Sequence, residues 1–141
     1  MAVFNMLTYL GILPFLICLV GGIYAPMALP WSKIMLGYGA VILSFLSGIQ
    51  WGLVLKTEDE PADLENKNLI VMMTNVLTLV AWLTLLIPNI WYAFLTQLLL
   101  FASTYMIDKA LLATFYPAWY MQMRFNVTVS VMVMLVIRLI Y

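Results

Sequence analysis

The sequence predicts an all-α integral membrane protein, a single domain built as a five-transmembrane-helix bundle. Three observations carry that expectation. Of 141 residues, 66% are hydrophobic and 9% charged, whereas a soluble domain carries about 25% charged residues. The mean hydropathy is +1.07, more apolar surface than a soluble core of this size could hide. The apolar residues also fall into five runs, each close to the length a helix needs to cross a bilayer, about 20 residues.

The runs and breaks follow in order. The first span covers residues 3–23. It has no lysine or arginine before it and is too long for the apolar region of a secretory signal, so it is read as retained. APMALPWSK (25–33), with two prolines and a lysine, reads as an interfacial loop. The second span is 34–55, and after it KTEDEPADLENK opens a polar cytoplasmic loop (56–68) holding five acids and two lysines. The third span is 69–87, Pro88-Asn89 is a tight turn, and the fourth span is 90–107. DKALLATFYP (108–117) either continues that helix or lies along the interface. The last span, 119–140, contains NVTVSVMV, which alternates like a strand. A lone strand in lipid leaves its backbone unpaired, whereas a helix satisfies every group internally, so this segment is expected to be helical.

Loop charges set an expected orientation. Lys56, Lys67, Lys109 and Arg124 share one side, and only Lys33 and Arg138 lie on the other. The positive-inside rule puts the first group in the cytoplasm, with the N-terminus inside and the C-terminus outside. The start lacks the Arg- and Ser-rich pattern of a mitochondrial presequence, and a bacterial inner membrane is the expected home.

Absent residues exclude chemistry. There is no histidine, and Cys18 is the one cysteine. Zinc sites, histidine-ligated haem and Ser-His-Asp or Cys-His catalysis all lack their parts. The eleven methionines offer soft thioethers, but Met72 with Met73, Met121 with Met123, and Met132 with Met134 diverge on a helix, so copper(I) is not indicated. Six basic and six acidic residues cancel, leaving no basic face for nucleic acid. No catalytic residue, cofactor or metal is expected.

Helical periodicity sorts the remaining candidates. On the second span Ala40, Ser44, Gly48 and Gly52 form one stripe, with Gly37 beside it. Small residues four apart let helices approach closely, so this stripe is expected to be a packing face. Trp51 projects within it and Gln50 lies off it. That pair reads as polar contacts of the packing or as ligand contacts. The third span puts Thr74, Asn75, Thr78, Ala81 and Trp82 on one side, and the fourth aligns Ala93, Gln97, Thr104 and Asp108. Gln50, Asn75 and Gln97 would then satisfy one another across the interfaces or line a polar cavity.

Asp108 and Arg124 raise a separate question. Arg124 and Arg138 are 14 residues apart, about 20 Å of helix, which is less than the hydrocarbon thickness. Either one arginine snorkels to its interface, or Arg124 sits at membrane depth beside a counter-ion, for which Asp108 is the natural partner.

YGAVILSFLSGIQWGLVL (38–55), the later Asp108 and PAWYMQMRFNVTV (117–129), with an early LPF (13–15), resemble the small proteins related to transmembrane protein 69. This is a domain-of-unknown-function family (3429) of bacteria and mitochondria. The resemblance covers nearly the whole chain and implies an integral membrane helix bundle with no activity to transfer. Where the family often has His or Arg before the tryptophan, this chain has Gln50, and Ser47 takes the first place of the usual Gly-Gly pair. The expected role is a non-catalytic accessory, assembly or stabilising component that contacts the lipid bilayer and another membrane protein or itself. The alternative is a small transporter or carrier component with a polar path through Gln50, Asn75, Gln97, Asp108 and Arg124.

Overall fold

The structure, a computed structural model, describes residues 2–56 and 67–141. The helices are α1 (Ala2–Leu10), α2 (Leu13–Tyr24), α3 (Trp31–Lys56), α4 (Lys67–Leu83), α5 (Ile90–Ile107) and α6 (Ala118–Ile140). Among the described residues, five helical stretches are long and apolar enough to cross a membrane: Met6–Tyr24, Trp31–Lys56, Lys67–Leu86, Ile90–Phe115 and Ala118–Ile140. The fold is therefore a five-span, all-helical membrane bundle. The five acids of the expected polar loop fall in residues 57–66, outside the described residues.

Local chemistry explains where the helices differ from the apolar runs. The first crossing is broken at Gly11 and Ile12, between α1 and α2. Pro14, near the start of α2, has no N–H to continue the helical ladder. The carbonyl that loses this donor is that of Leu10, four residues back; the neighbouring Gly11 carbonyl, inside the break, accepts from the Tyr38 hydroxyl of α3 at 3.0 Å. The second crossing begins at Trp31, immediately after Pro30, so Trp31, Ser32 and Lys33 are helical rather than loop. The Trp31 indole N–H donates to the Ala25 carbonyl at 2.8 Å and closes the connection.

The turn between α4 and α5 begins with a 3-10 segment, Thr84–Leu86. Asn89 then caps α5, its side chain accepting from the Trp91 backbone N–H at 3.0 Å. At its far end α5 does not stop at Ile107. The chain continues through a π-helical turn, Asp108–Leu112, and a 3-10 turn, Ala113–Phe115. Of the two alternatives for 108–117, continuation of the helix is the one observed.

α3 packs against α2, α4 and α5, and α5 packs against α6. Phe15 of α2 sits at the centre of the main core, edge-on to Tyr38 at 5.0 Å and to Phe101 at 6.2 Å between ring centres. Met35, Leu43, Ala81, Ala93, Phe94, Val131 and Leu135 complete that core. A second, smaller cluster of Val54, Ile70, Ile107 and Leu112 lies at the other end of α3. The polar groups described next sit beside that second cluster.

Candidate functional site

Three helices converge on one carboxylate. Asp108 is placed where α5 gives way to the π-turn, and it is 1% exposed. From α6, Arg124 donates through Nε to Asp108 Oδ2 at 3.0 Å, and its Nη2 contacts the same oxygen. From α3, Gln50 Nε2 donates to Asp108 Oδ1 at 2.8 Å. The same amide nitrogen reaches the Thr104 carbonyl at 3.3 Å. Gln50 and Arg124 are both buried. Asp108 and Arg124 thus form an ion pair buried inside the bundle.

Asp108 also opens the π-turn. π-turns widen a helix locally and recur at functional sites. Here the Asp108 backbone N–H is shared between the carbonyls of Thr104 and Tyr105. A carbonyl has two acceptor lone pairs, so Thr104 can also receive Gln50. Each Asp108 oxygen meets a donor, and the two opposite charges cancel inside the bundle. A charge taken out of water is tolerated only when paired and hydrogen-bonded.

Two polar atoms next to this constellation lack partners among the described residues: Gln50 Oε1 and the Tyr116 hydroxyl. The Tyr116 ring lies against Tyr120 at 4.6 Å. Burial pushes the Tyr116 phenol above its usual range, and the nearby Asp108 charge acts in the same direction.

The other predicted residues divide. Ala93, Gln97, Thr104 and Asp108 are all buried, as one face of α5. Gln97 does not meet Gln50. Its Nε2 donates to the Leu36 carbonyl at 2.7 Å and to the Thr84 hydroxyl at 3.1 Å. Asn75 is exposed on the outside of α4, whereas its neighbour Thr74 is buried. The three amides therefore do not satisfy one another, and they do not form a single polar line.

The small-residue stripe is not a packing face within the bundle. Ala40 is buried, but Ser44, Gly48 and Gly52 face outward. A Cβ placed on Gly37, Gly48 or Gly52 would meet nothing within 4 Å. The buried line of α3 is Leu36, Gly39, Leu43, Ser47, Gln50 and Val54, one residue and so about 100° round from the stripe. Trp51 leans toward α4 rather than across the stripe, its indole N–H donating to the Thr74 hydroxyl at 2.9 Å. The close helix approach inside the bundle is at Gly39, where a Cβ would overlap Gln97 Oε1. Gly39 belongs to no repeated small-residue pattern, so spacing could not single it out.

Comparison with known proteins agrees with this architecture. The family model described as "Protein of unknown function (DUF3429)" matches residues 2–140. Transmembrane protein 69 of Xenopus tropicalis is 36% identical over 124 residues, covering 84% of this chain and 46% of that protein. Transmembrane protein 69 of Mus musculus is 28% identical over 138 residues, covering 95% of this chain and 54% of that protein. The chain thus spans about half the length of these relatives. No solved structure matches. With its five apolar helices and a match running almost from end to end, the chain belongs to the DUF3429 family of transmembrane proteins.

Proposed function

We propose that this protein is a non-catalytic accessory or stabilising component that docks onto another membrane protein, or onto a second copy of itself, through the outer face of α3. The observation that carries this reading is the open stripe of Ser44, Gly48 and Gly52, where added side-chain carbon at the glycines has nothing to meet. Small residues at this spacing let two helix backbones approach closely in lipid. Asp108 and Arg124, by contrast, are turned inward onto each other. We further propose a bacterial inner membrane as the setting, with the ends carrying Lys56, Lys67 and Lys109 in the cytoplasm.

The test is native mass spectrometry of the assembly released from membranes at natural expression level. A stoichiometric partner or homo-oligomer is expected, and Gly48→Leu and Gly52→Leu should release it without lowering thermal stability. A strictly monomeric, partner-free protein would sink the proposal.

A carrier role has one observation in its favour, a buried Asp108 with an unpartnered Tyr116 hydroxyl nearby. It requires that Asp108→Asn abolish a measurable flux while the folded bundle survives. The accessory reading expects no flux to lose.

A further inference from the structure

A cavity of about 300 Å³ lies between α1, α2, α3 and α6, separate from the stripe on α3. Its walls are almost wholly apolar, with Phe15, Leu46 and Val127 among them. Leu7 of α1 and Phe45 of α3, both turned outward, stand at its mouth. All of these residues fall inside membrane-spanning helices, so the mouth opens sideways into hydrocarbon rather than into water. Along α6 the lining runs from Tyr120 to Val131, a depth of about 16 Å at about 1.5 Å per residue.

The polar side chains of this wall are few. Arg124 is one of them. Its hydrogen bonds to Asp108 run through Nε and Nη2, so they use two of the five donors of a guanidinium. Thr128, buried one turn further along, is another. Thr96, Thr104 and Ser130 return their hydroxyls to the carbonyl four residues back. Among the described residues, Thr128 makes no such bond.

We infer that this cavity is a binding site for one acyl chain of a membrane phospholipid, with a glycerol ester carbonyl accepting from Arg124. An unfilled slot of this size forfeits dispersion contacts along its whole lining, and an apolar cavity does not hold water. The volume lies at the lower end of the range for ligand pockets, about 300–1,000 Å³. Asp108 cancels the charge of Arg124, so the site calls for a neutral oxygen acceptor and not for a phosphate. Binding is therefore indifferent to the headgroup.

The full chain is reconstituted in nanodiscs of phosphatidylethanolamine or of phosphatidylglycerol, each with a trace of phosphatidylcholine carrying a mid-chain diazirine. After irradiation, adducts are mapped by peptide mass spectrometry. Labelling is expected to concentrate on Phe45, Ile49 and Val127 over the outward-facing controls Leu79 and Val133, equally in both lipids. Val127→Phe and, independently, Ile49→Phe fill the slot and should each lower cavity labelling several-fold while the controls keep theirs. A variant that does not fold is set aside in favour of the other. Even labelling of cavity and control residues overturns the inference, as does cavity labelling that survives filling in a folded variant. So does labelling that needs the anionic lipid, or that an isoprenoid quinone displaces and excess phospholipid does not.

Discussion

α3 and α5 are fastened to each other twice, at two levels of the bundle, by two glutamines used in opposite directions. At one level Gln50 of α3 reaches the Thr104 carbonyl of α5, at 3.3 Å. At the other, Gln97 of α5 reaches the Leu36 carbonyl of α3, at 2.7 Å. Leu36 and Gln50 are 14 residues apart, about 21 Å of helix. The first clasp also holds an ion pair, Asp108 with Arg124, and recruits α6. The second is uncharged, and its remaining partner is the Thr84 hydroxyl at the end of α4. The difference teaches what a charge adds in lipid. A neutral clasp ties helices together at modest cost if broken. A charged clasp makes each half indispensable to the other, because there is no water to take in a stranded ion.

The largest effect should therefore come from breaking the charged clasp on one side only. Arg124→Met leaves Asp108 buried without its counter-ion and should destabilise the bundle by about 3–5 kcal/mol. Asp108→Leu should do the same from the other side. The double variant should cost less than the sum of the two, with a coupling energy of about 0.5–3 kcal/mol. Steric-trapping measurements of unfolding in bicelles supply the cycle. Simple additivity would show that the two charges do not support each other and would remove the contrast between the clasps.

The neutral clasp is best probed through its backbone partner. Gly39→Ala pushes a methyl into Gln97 Oε1, an overpacking that should cost about 1–3 kcal/mol. The same substitution at Gly48 meets nothing within 4 Å and should stay within about 0.5 kcal/mol of the parent. Combining Gly39→Ala with Gln97→Ala should recover part of the loss. A Gly48→Ala variant as unstable as Gly39→Ala would mean that the outer face of α3 is already packed.

These two glycines also mark the limit of what the sequence made legible. Span positions were readable because each depends on length and hydropathy alone, and lipid leaves helices as the fitting answer. The α5 face was readable too, since Gln97, Thr104 and Asp108 fall together on one side of the helix and one of them carries a charge. α3 offered no such contrast. Ser44, Gly48 and Gly52 are tolerated equally against lipid or against protein, so periodicity grouped them without saying which way they point. Asn75 and Thr74 are neighbours about 100° apart, and either could have turned inward. The hydrogen bonds that Tyr38 gives Gly11 and Gln50 gives Asp108 join residues far apart along the chain, which no local pattern announces.

Gln50→Leu tests how much of the charged clasp is the amide. It removes a hydrogen bond to a carboxylate, for which about 1.5 kcal/mol is the low end. The low end is expected because Gln50 Oε1 has no donor among the described residues, so removing the side chain also removes a desolvated oxygen. A loss as large as that of Arg124→Met would place the weight of the site on Gln50 instead of on the ion pair.

Among the hydrogen-bond deletions, the smallest effect is expected at Trp51. Its indole N–H donates to the Thr74 hydroxyl at 2.9 Å, while that hydroxyl lies within 2.9 Å of the Ile70 carbonyl and 3.0 Å of the Val71 carbonyl. Trp51→Phe therefore removes one donor and strands nothing, because the Thr74 hydroxyl keeps its own acceptor. The loss should be near the average for an interhelical bond in a membrane protein, about 0.6 kcal/mol. Thr74→Val reverses the situation, since it leaves the indole N–H facing hydrocarbon without an acceptor, and it should cost more than Trp51→Phe. Equal costs would mean that the indole finds a second acceptor. Even the uncharged contacts of this bundle are thus expected to respond unequally, according to which partner is left without a bond.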